Sequence, residues 1–167
     1  MLRSYIVQCP NTECDTVTRR KITFDANTII SYIITKKKDS LVRNAINKAK
    51  EIDQIMLTDI IEEEVIDFAD KPQGMTVNAT RESMRNGIAQ ISAHIIILKP
   101  IPSNEELAKK YQIRDWGDLK IIESSERTES EFLITYDRAL LKAKGVKAKV
   151  GRPEHYLYED WDWLDEK

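Results

Sequence analysis

The sequence predicts an α/β fold, a single-domain α/β/α sandwich around a mainly parallel central sheet. Three observations lead there. At 167 residues, 41% of them hydrophobic, the chain can build one sizeable core but not two. Short apolar runs read as strands: ITF, IMLTD, HIIIL and EFLIT, with VKAKV closing the series. Between them lie stretches whose apolar residues recur at helical spacing, and strands that alternate with helices pair in parallel.

The elements follow in order. KITF gives way at Asp25 to the apolar stretch 29–34, which opens a buried helix. Leu41, Val42, Ala45, Ile46 and Ala49 keep helical spacing, with Ser40 placed to cap them. IMLTD is the second strand and IIEEEVIDFA the helix after it, while Lys71-Pro72-Gln73-Gly74 is expected to break the chain. A helix over about 80–92 leads to HIIIL, which Pro100 and Pro102 end. NEELAKKY and, after Trp116-Gly117, DLKIIESSE read as helices. EFLIT is the fourth strand, followed by a helix at about 138–144 and by VKAKV, which runs into RPEHYL. Residues 1–20 stand outside this alternation as an N-terminal extension in which SYIVQ reads as an extra edge strand. The folded domain is assigned to 21–157, and 158–167 form an acidic, aromatic tail.

A formal net charge of -2 argues against a generally basic protein that coats nucleic acid. The charges are unevenly spread. Lys36, Lys37 and Lys38 form one basic run, and Lys142, Lys144, Lys147, Lys149 and Arg152 another; IEEEVIDFAD and YEDWDWLDEK are acidic. Such runs read either as solvated faces or as phosphate contacts beside an acidic centre. No run approaches the roughly 20 apolar residues that span a bilayer, and no leader pattern precedes the domain, so a cytoplasmic protein without membrane association is expected. Cys9 and Cys14, with His94 and His155 far away, do not make a four-ligand zinc pattern.

The acids hold the functional signal. In open α/β sheets, ligands sit beyond the carboxyl ends of the strands. Asp25 follows ITF at that edge, and Asp137 follows FLIT by two residues. Advancing 100° per residue along IIEEEVIDFA puts Glu64 inside the apolar arc, between Ile60 and Phe68. The same exercise on DLKIIESSE puts Asp118 between Ile121 and Ile122. Taken singly, an Asp after a strand caps a helix and a Glu near an apolar face reaches for water. Several inward carboxylates together raise one another's cost of ionisation, and the usual compensation is a hard cation. Oxygen ligands without His or Cys favour Mg2+ or Mn2+, and such ions serve phosphodiester chemistry.

FDANTIIS resembles the D-x-N-x-(L/I)-(I/V)-S signature that opens PIN domains. Thr58, Glu64 and Val65 in LTDIIEEEV match their second motif, and DLKIIESSERTESEFLITYD resembles the third and fourth, with Thr135 and Asp137 in the T-x-D. VKAKVGRPEHYL is similar to the closing strand and the Pro-led segment behind it. The resemblance covers about residues 20–157 and departs from the family in carrying ESSE where Ala is usual. It implies a Mg2+- or Mn2+-dependent endoribonuclease, in which Asp25, Glu64, Asp118 and Asp137 hold the metal and a metal-activated water cuts RNA. Asp115 reads as a fifth acid or as a cap. Asn27 and Thr135 would orient the ligands through hydrogen bonds, and Ser31 sits at a family position near the metal. Lys36, Lys37, Lys38, Lys142 and Arg138 are candidates to hold the RNA backbone. A stand-alone RNA-processing nuclease and the toxin of a toxin–antitoxin pair are both open, the latter with an antitoxin-like protein partner; dimers are common among such toxins.

Two rivals stand beside this reading. In haloacid-dehalogenase-like phosphatases, Asp25 of ITFDAN would be the nucleophile, but the acid expected two residues on is Asn27, which cannot transfer a proton. A non-catalytic PIN-like module that binds RNA or protein is the other; the presence of all four expected acids gives it no support.

Overall fold

In a computed structural model, described over residues 19–91, 95–98 and 103–162, β1 (Lys21–Phe24) runs through the middle of a parallel sheet. Its Ile22, Thr23 and Phe24 are fully buried, as befits a strand covered on both faces. On one side β1 pairs with β2 (Gln54–Ile55), and on the other with β5 (Phe132–Ile134), which pairs in turn with β6 (Lys149–Gly151). The order is β2-β1-β5-β6, all parallel.

The run IMLTD is not one strand. β2 ends at Ile55, the Met56 N–H still donates to the Ile22 carbonyl at 2.8 Å, and β3 (Leu57–Thr58) then leaves to pair with β4 (Ile95–Ile96) in a second, two-stranded parallel sheet. The fork has a simple cause. Continuing the β1–β2 register sets Thr58 against Asp25, the N-cap of α1, where β1 has ended and the ladder does not continue.

Helices α1 (Ala26–Ile34) and α2 (Leu41–Ile52) cross from β1 to β2, and Ser40 caps α2 by accepting from the Arg43 N–H at 3.2 Å. α3 (Asp59–Asp67) presents Ile61, Val65 and Ile66 to the core and tightens into a 3-10 turn at Phe68–Asp70. The expected break at Lys71-Pro72-Gln73-Gly74 is instead the start of a short helix, α4 (Pro72–Thr76). Proline suits a first helical position because its missing N–H would have no partner there. Gly74 is needed for that turn to pack: a Cβ would fall 2.0 Å from the Phe68 carbonyl oxygen.

α5 (Arg81–Ile91) and α6 (Asn104–Tyr111) follow, the latter opened by a Ser103–Glu106 capping box. α7 (Trp116–Arg127) begins at Trp116 rather than after Gly117, because Asp115 caps it. α8 (Arg138–Leu141) is a single turn, shorter than the expected 138–144, and α9 (Pro153–Tyr158) packs on α2. Part of the acidic tail is anchored. Trp161 stacks on Phe132 with ring centroids 5.2 Å apart and covers Gly151, where a Cβ would meet its ring at 2.5 Å. SYIVQ, Cys9, Cys14, His94, Pro100 and Pro102 lie outside the described residues.

This topology positions one place above all. From β1 the chain crosses towards β2, whereas from β5 it crosses the other way to β6. The carboxyl ends of β1 and β5 therefore flank the point where the strand order reverses, the position at which α/β sheets open a crevice. Asp25 and Asp137 both follow those ends. No helix among the described residues is long and apolar enough to cross a membrane.

Candidate functional site

Asp25 is the N-cap of α1 and only 3% exposed. Its Oδ1 accepts from the Thr28 N–H at 2.7 Å and its Oδ2 from the Thr135 hydroxyl at 2.5 Å. Its own N–H donates to the Ile134 carbonyl, completing the β1–β5 ladder. The Thr135 hydroxyl in turn accepts from the Asp137 N–H at 2.8 Å, so a short chain of hydrogen bonds runs from the end of β5 to Asp25. Burial pushes the Asp25 carboxyl above its ordinary range; the bonds from Thr135 and Thr28 pull it back, and the charge of Asp137 raises it further.

The other acids reach the same place from different elements. Asp137 caps α8, its Oδ1 accepting from the Ala139 and Leu140 N–H groups at 2.6 and 3.3 Å. Asp115 caps α7, its Oδ1 accepting from the Asp118 N–H at 3.1 Å. Asp118 stands in the first turn of α7 and Glu64 in the middle of α3, both half-buried. A buried bond between the Thr58 and Ser124 hydroxyls, 3.0 Å long, fixes these two helices against each other, and Thr58 also caps α3 by accepting from the Ile61 N–H.

Asp25, Glu64, Asp115, Asp118 and Asp137 line one pocket of about 450 Å³, together with Asn27. Asp115 is thus both a cap and a pocket acid. The carboxylates feel one another. Asp118 is raised to about 6, first by burial and then by the charges of Asp137, Asp115, Glu64 and Asp25. Glu64 is raised by burial; Lys71 and Lys120 oppose this, while Asp25 and Asp115 reinforce it. Among the described residues none of the five forms an ion pair with a lysine or arginine.

Other residues picked out in the sequence fall elsewhere. Ser31 is half-buried farther along α1 and does not line the pocket. Lys36, Lys37 and Lys38, in the link from α1 to α2, are exposed and outside the lining, as are Lys142 and Arg138. Conversely, Lys71 and Lys120, whose charges reach Glu64, were not anticipated. Lys71 stands beyond the end of α3, after the 3-10 turn and at the start of α4, so helical spacing from Glu64 gave no signal for it. Lys120, two residues past Asp118, carried none.

The donor chemistry suits a hard cation: five carboxylates and one amide, with no His or Cys in the lining. Asp25 and Asp137 keep carboxylate lone pairs beyond those given to the backbone and Thr135. The acids surround the pocket rather than meet at a point, and among the described residues no three His, Cys, Asp or Glu side chains are drawn close enough to clasp an ion. Like charges without a cation between them repel, which keeps such a cluster open. No protein-family model matches this chain, and no curated protein matches it in sequence. Geometry and chemistry alone must therefore carry the functional reading.

Proposed function

We propose that the chain is a PIN-like endoribonuclease that depends on Mg2+ or Mn2+ and cuts RNA at the acidic pocket. One observation carries the reading: five carboxylates that form no ion pair among the described residues line a single pocket at the β1/β5 switch point. Four of them, Asp25, Glu64, Asp118 and Asp137, occur along the chain in the order of the motifs FDAN, LTDIIEEEV, DLKIIESSE and TYD. Asp25, Glu64, Asp118 and Asp137 would hold the cation, with Asp115 beside them. A divalent cation, when bound, activates water and offsets the charge that builds on the phosphate.

The chain's own residues prepare that site. The Thr28 amide and the Thr135 hydroxyl fix both oxygens of Asp25 at the end of β1. The Asp137 N–H holds Thr135 in turn, so the two acids at the strand ends keep a set relation. Asp115 pins the first turn of α7, from which Asp118 enters the pocket. Asn27 adds a neutral amide to the lining. The phosphatase reading asks Asp25 to attack phosphorus directly. A carboxylate 3% exposed with both oxygens hydrogen-bonded is poorly presented for that.

The test is incubation with single-stranded RNA in MgCl2, MnCl2 or EDTA. Cleavage in either salt, leaving 5′-phosphate and 3′-hydroxyl ends, is expected of the wild type. It should be absent in EDTA and in Asp25→Asn. A parallel thermal melt should show a rise in Tm with MnCl2 that Asp25→Asn lacks, since a ligand stabilises only a fold that binds it. Cleavage that persists in EDTA, or in Asp25→Asn, would sink the proposal.

A further inference from the structure

We propose that Trp116 and Tyr136, each next in the chain to residues that line the acidic pocket, are stacking platforms for nucleobases, so that the site takes unpaired, single-stranded RNA. The inference rests on the nuclease reading and deepens it. Large aromatic side chains are otherwise packed away in this fold, with Phe24, Tyr111 and Tyr156 no more than 1% exposed. Three aromatic residues are left open to solvent among the described residues: Trp116 at 38%, Tyr136 at 43% and Tyr158 at 73%. Two of these three are chain neighbours of pocket-lining residues, although neither ring is itself in the lining. Trp116 lies between Asp115 and Gly117, both in the lining, and Tyr136 immediately precedes Asp137.

Each of the two has basic company. The Lys120 ammonium lies 6.0 Å from the Trp116 ring centroid, and its charge also reaches Glu64, so Trp116 and Lys120 share the Glu64 side. The Tyr136 hydroxyl donates to Glu154 at 3.4 Å, and Glu154 pairs with Arg152 at 3.8 Å. Anchoring the hydroxyl restrains the ring while leaving it exposed. Next to the carboxylate-lined pocket the chain thus offers exposed aromatic surface, with Lys120 close to Trp116 and Arg152 paired to the Glu154 that holds Tyr136.

That combination suits one class of ligand. Single-stranded nucleic acid is bound by aromatic faces that stack on bases and by cations that follow the phosphates. In a duplex the base faces are already occupied by their neighbours. Lys120, beside the Trp116 ring, is the cation placed nearest a platform; like Lys36, Lys37, Lys38, Lys142 and Arg138, it stands outside the pocket lining.

The experiment measures binding apart from cleavage. Fluorescence anisotropy of a labelled oligouridylate and of a labelled RNA duplex is followed on the Asp25→Asn protein in EDTA, with Trp116→Ala, Tyr136→Ala, Trp116→Phe and Tyr136→Phe added singly. The single strand should bind more tightly than the duplex. Each Ala change should weaken it on the order of tenfold, and each Phe change much less, since stacking needs only a π-face. Circular dichroism and Tm establish that each variant is folded, and the Phe variants separate stacking from packing. Equal binding of duplex and single strand, or a Kd unmoved by both Ala changes, overturns the proposal. So does self-association that Trp116→Ala abolishes while RNA binding stays intact, which would make this face a protein contact. Wild-type cleavage with an unmoved Kd removes the platforms and leaves the nuclease. Stacking-dependent binding without cleavage in MnCl2 removes the nuclease and leaves the platforms.

Discussion

Among the described residues two aspartates are buried, at opposite ends of the sheet and in opposite states. Asp53, 2% exposed, precedes β2 at the amino edge; Asp25, 3% exposed, follows β1 at the carboxyl edge. Asp53 is answered by the chain itself. It accepts from Arg20 Nε at 2.9 Å and from the Tyr156 hydroxyl, while Arg20 lies over the Phe132 ring. Lys48 bonds the Tyr156 and Leu157 carbonyls at 3.1 Å, so the cluster clamps α9 onto α2. Asp25 receives a hydroxyl and an amide but, among the described residues, no cation, and four further acids share its pocket. A buried charge whose counter-charge is built in holds the fold together; one left without it is poised for something from outside.

The sharpest way to break this contrast is to neutralise each aspartate and measure stability. Asp53→Ala leaves Arg20 and Tyr156 without their acceptor and should cost about 3 kcal/mol in urea unfolding, with RNA cleavage unchanged while the protein is folded. Asp25→Asn should change stability by less than about 1 kcal/mol or raise it, because it removes an ionised group from an acidic, desolvated place. Equal losses for both would make Asp25 a structural acid and end the comparison.

A smaller effect tests the hydrogen bonds that aim Asp25. Thr135→Val removes both its donation to Asp25 and its acceptance from the Asp137 N–H. The Mn2+ concentration for half-maximal cleavage should rise about 10- to 100-fold, as when any orienting partner is lost. Thr135→Ser should recover most of it. A rise shared equally by the Ser variant would point to packing by the lost methyl group instead.

The smallest effect is in pH. Asp118 is raised to about 6 from the usual carboxyl range, so the fold prefers it protonated. Its contribution to stability is complete below the unfolded pKa of about 4 and is lost as pH rises through about 6. In EDTA, Tm should therefore climb as pH falls from 7 towards 5, and Asp118→Asn should flatten part of that climb. Saturation by Mn2+ should weaken over the same interval, because protons compete for the carboxylate. A Tm profile identical in wild type and Asp118→Asn would show that burial and the neighbouring acids do not raise Asp118.

Much of the site's frame was legible in the chain before folding. Asp25, Ser40 and Asp137 could be placed at element starts because a cap oxygen and the N–H that donates to it lie two or three residues apart. The 100° advance along α3 and α7 put Glu64 and Asp118 towards the interior for the same local reason, and both line the pocket. The reading failed where local signals misled. Proline and glycine at 72 and 74 suggested a break but fit a helix start and a close packing contact. The basic runs at 36–38 and 142–152 drew attention by density, yet Lys71 and Lys120, isolated in sequence, have the charges that reach Glu64.

By itself, then, the sequence determined what depends on neighbours three or four residues apart: the alternation of strands and helices, the caps, and which face of a helix carries an acid. Only the tertiary structure decided which acids acquire cations and which are left to one another. Arg20 meets Asp53 across 33 positions, Tyr156 meets Asp53 across 103, and Thr135 meets Asp25 across 110. Such pairings are set by where parallel crossovers return the chain. A return beside an arginine makes an aspartate structural; a return beside four other acids makes it the wall of a pocket.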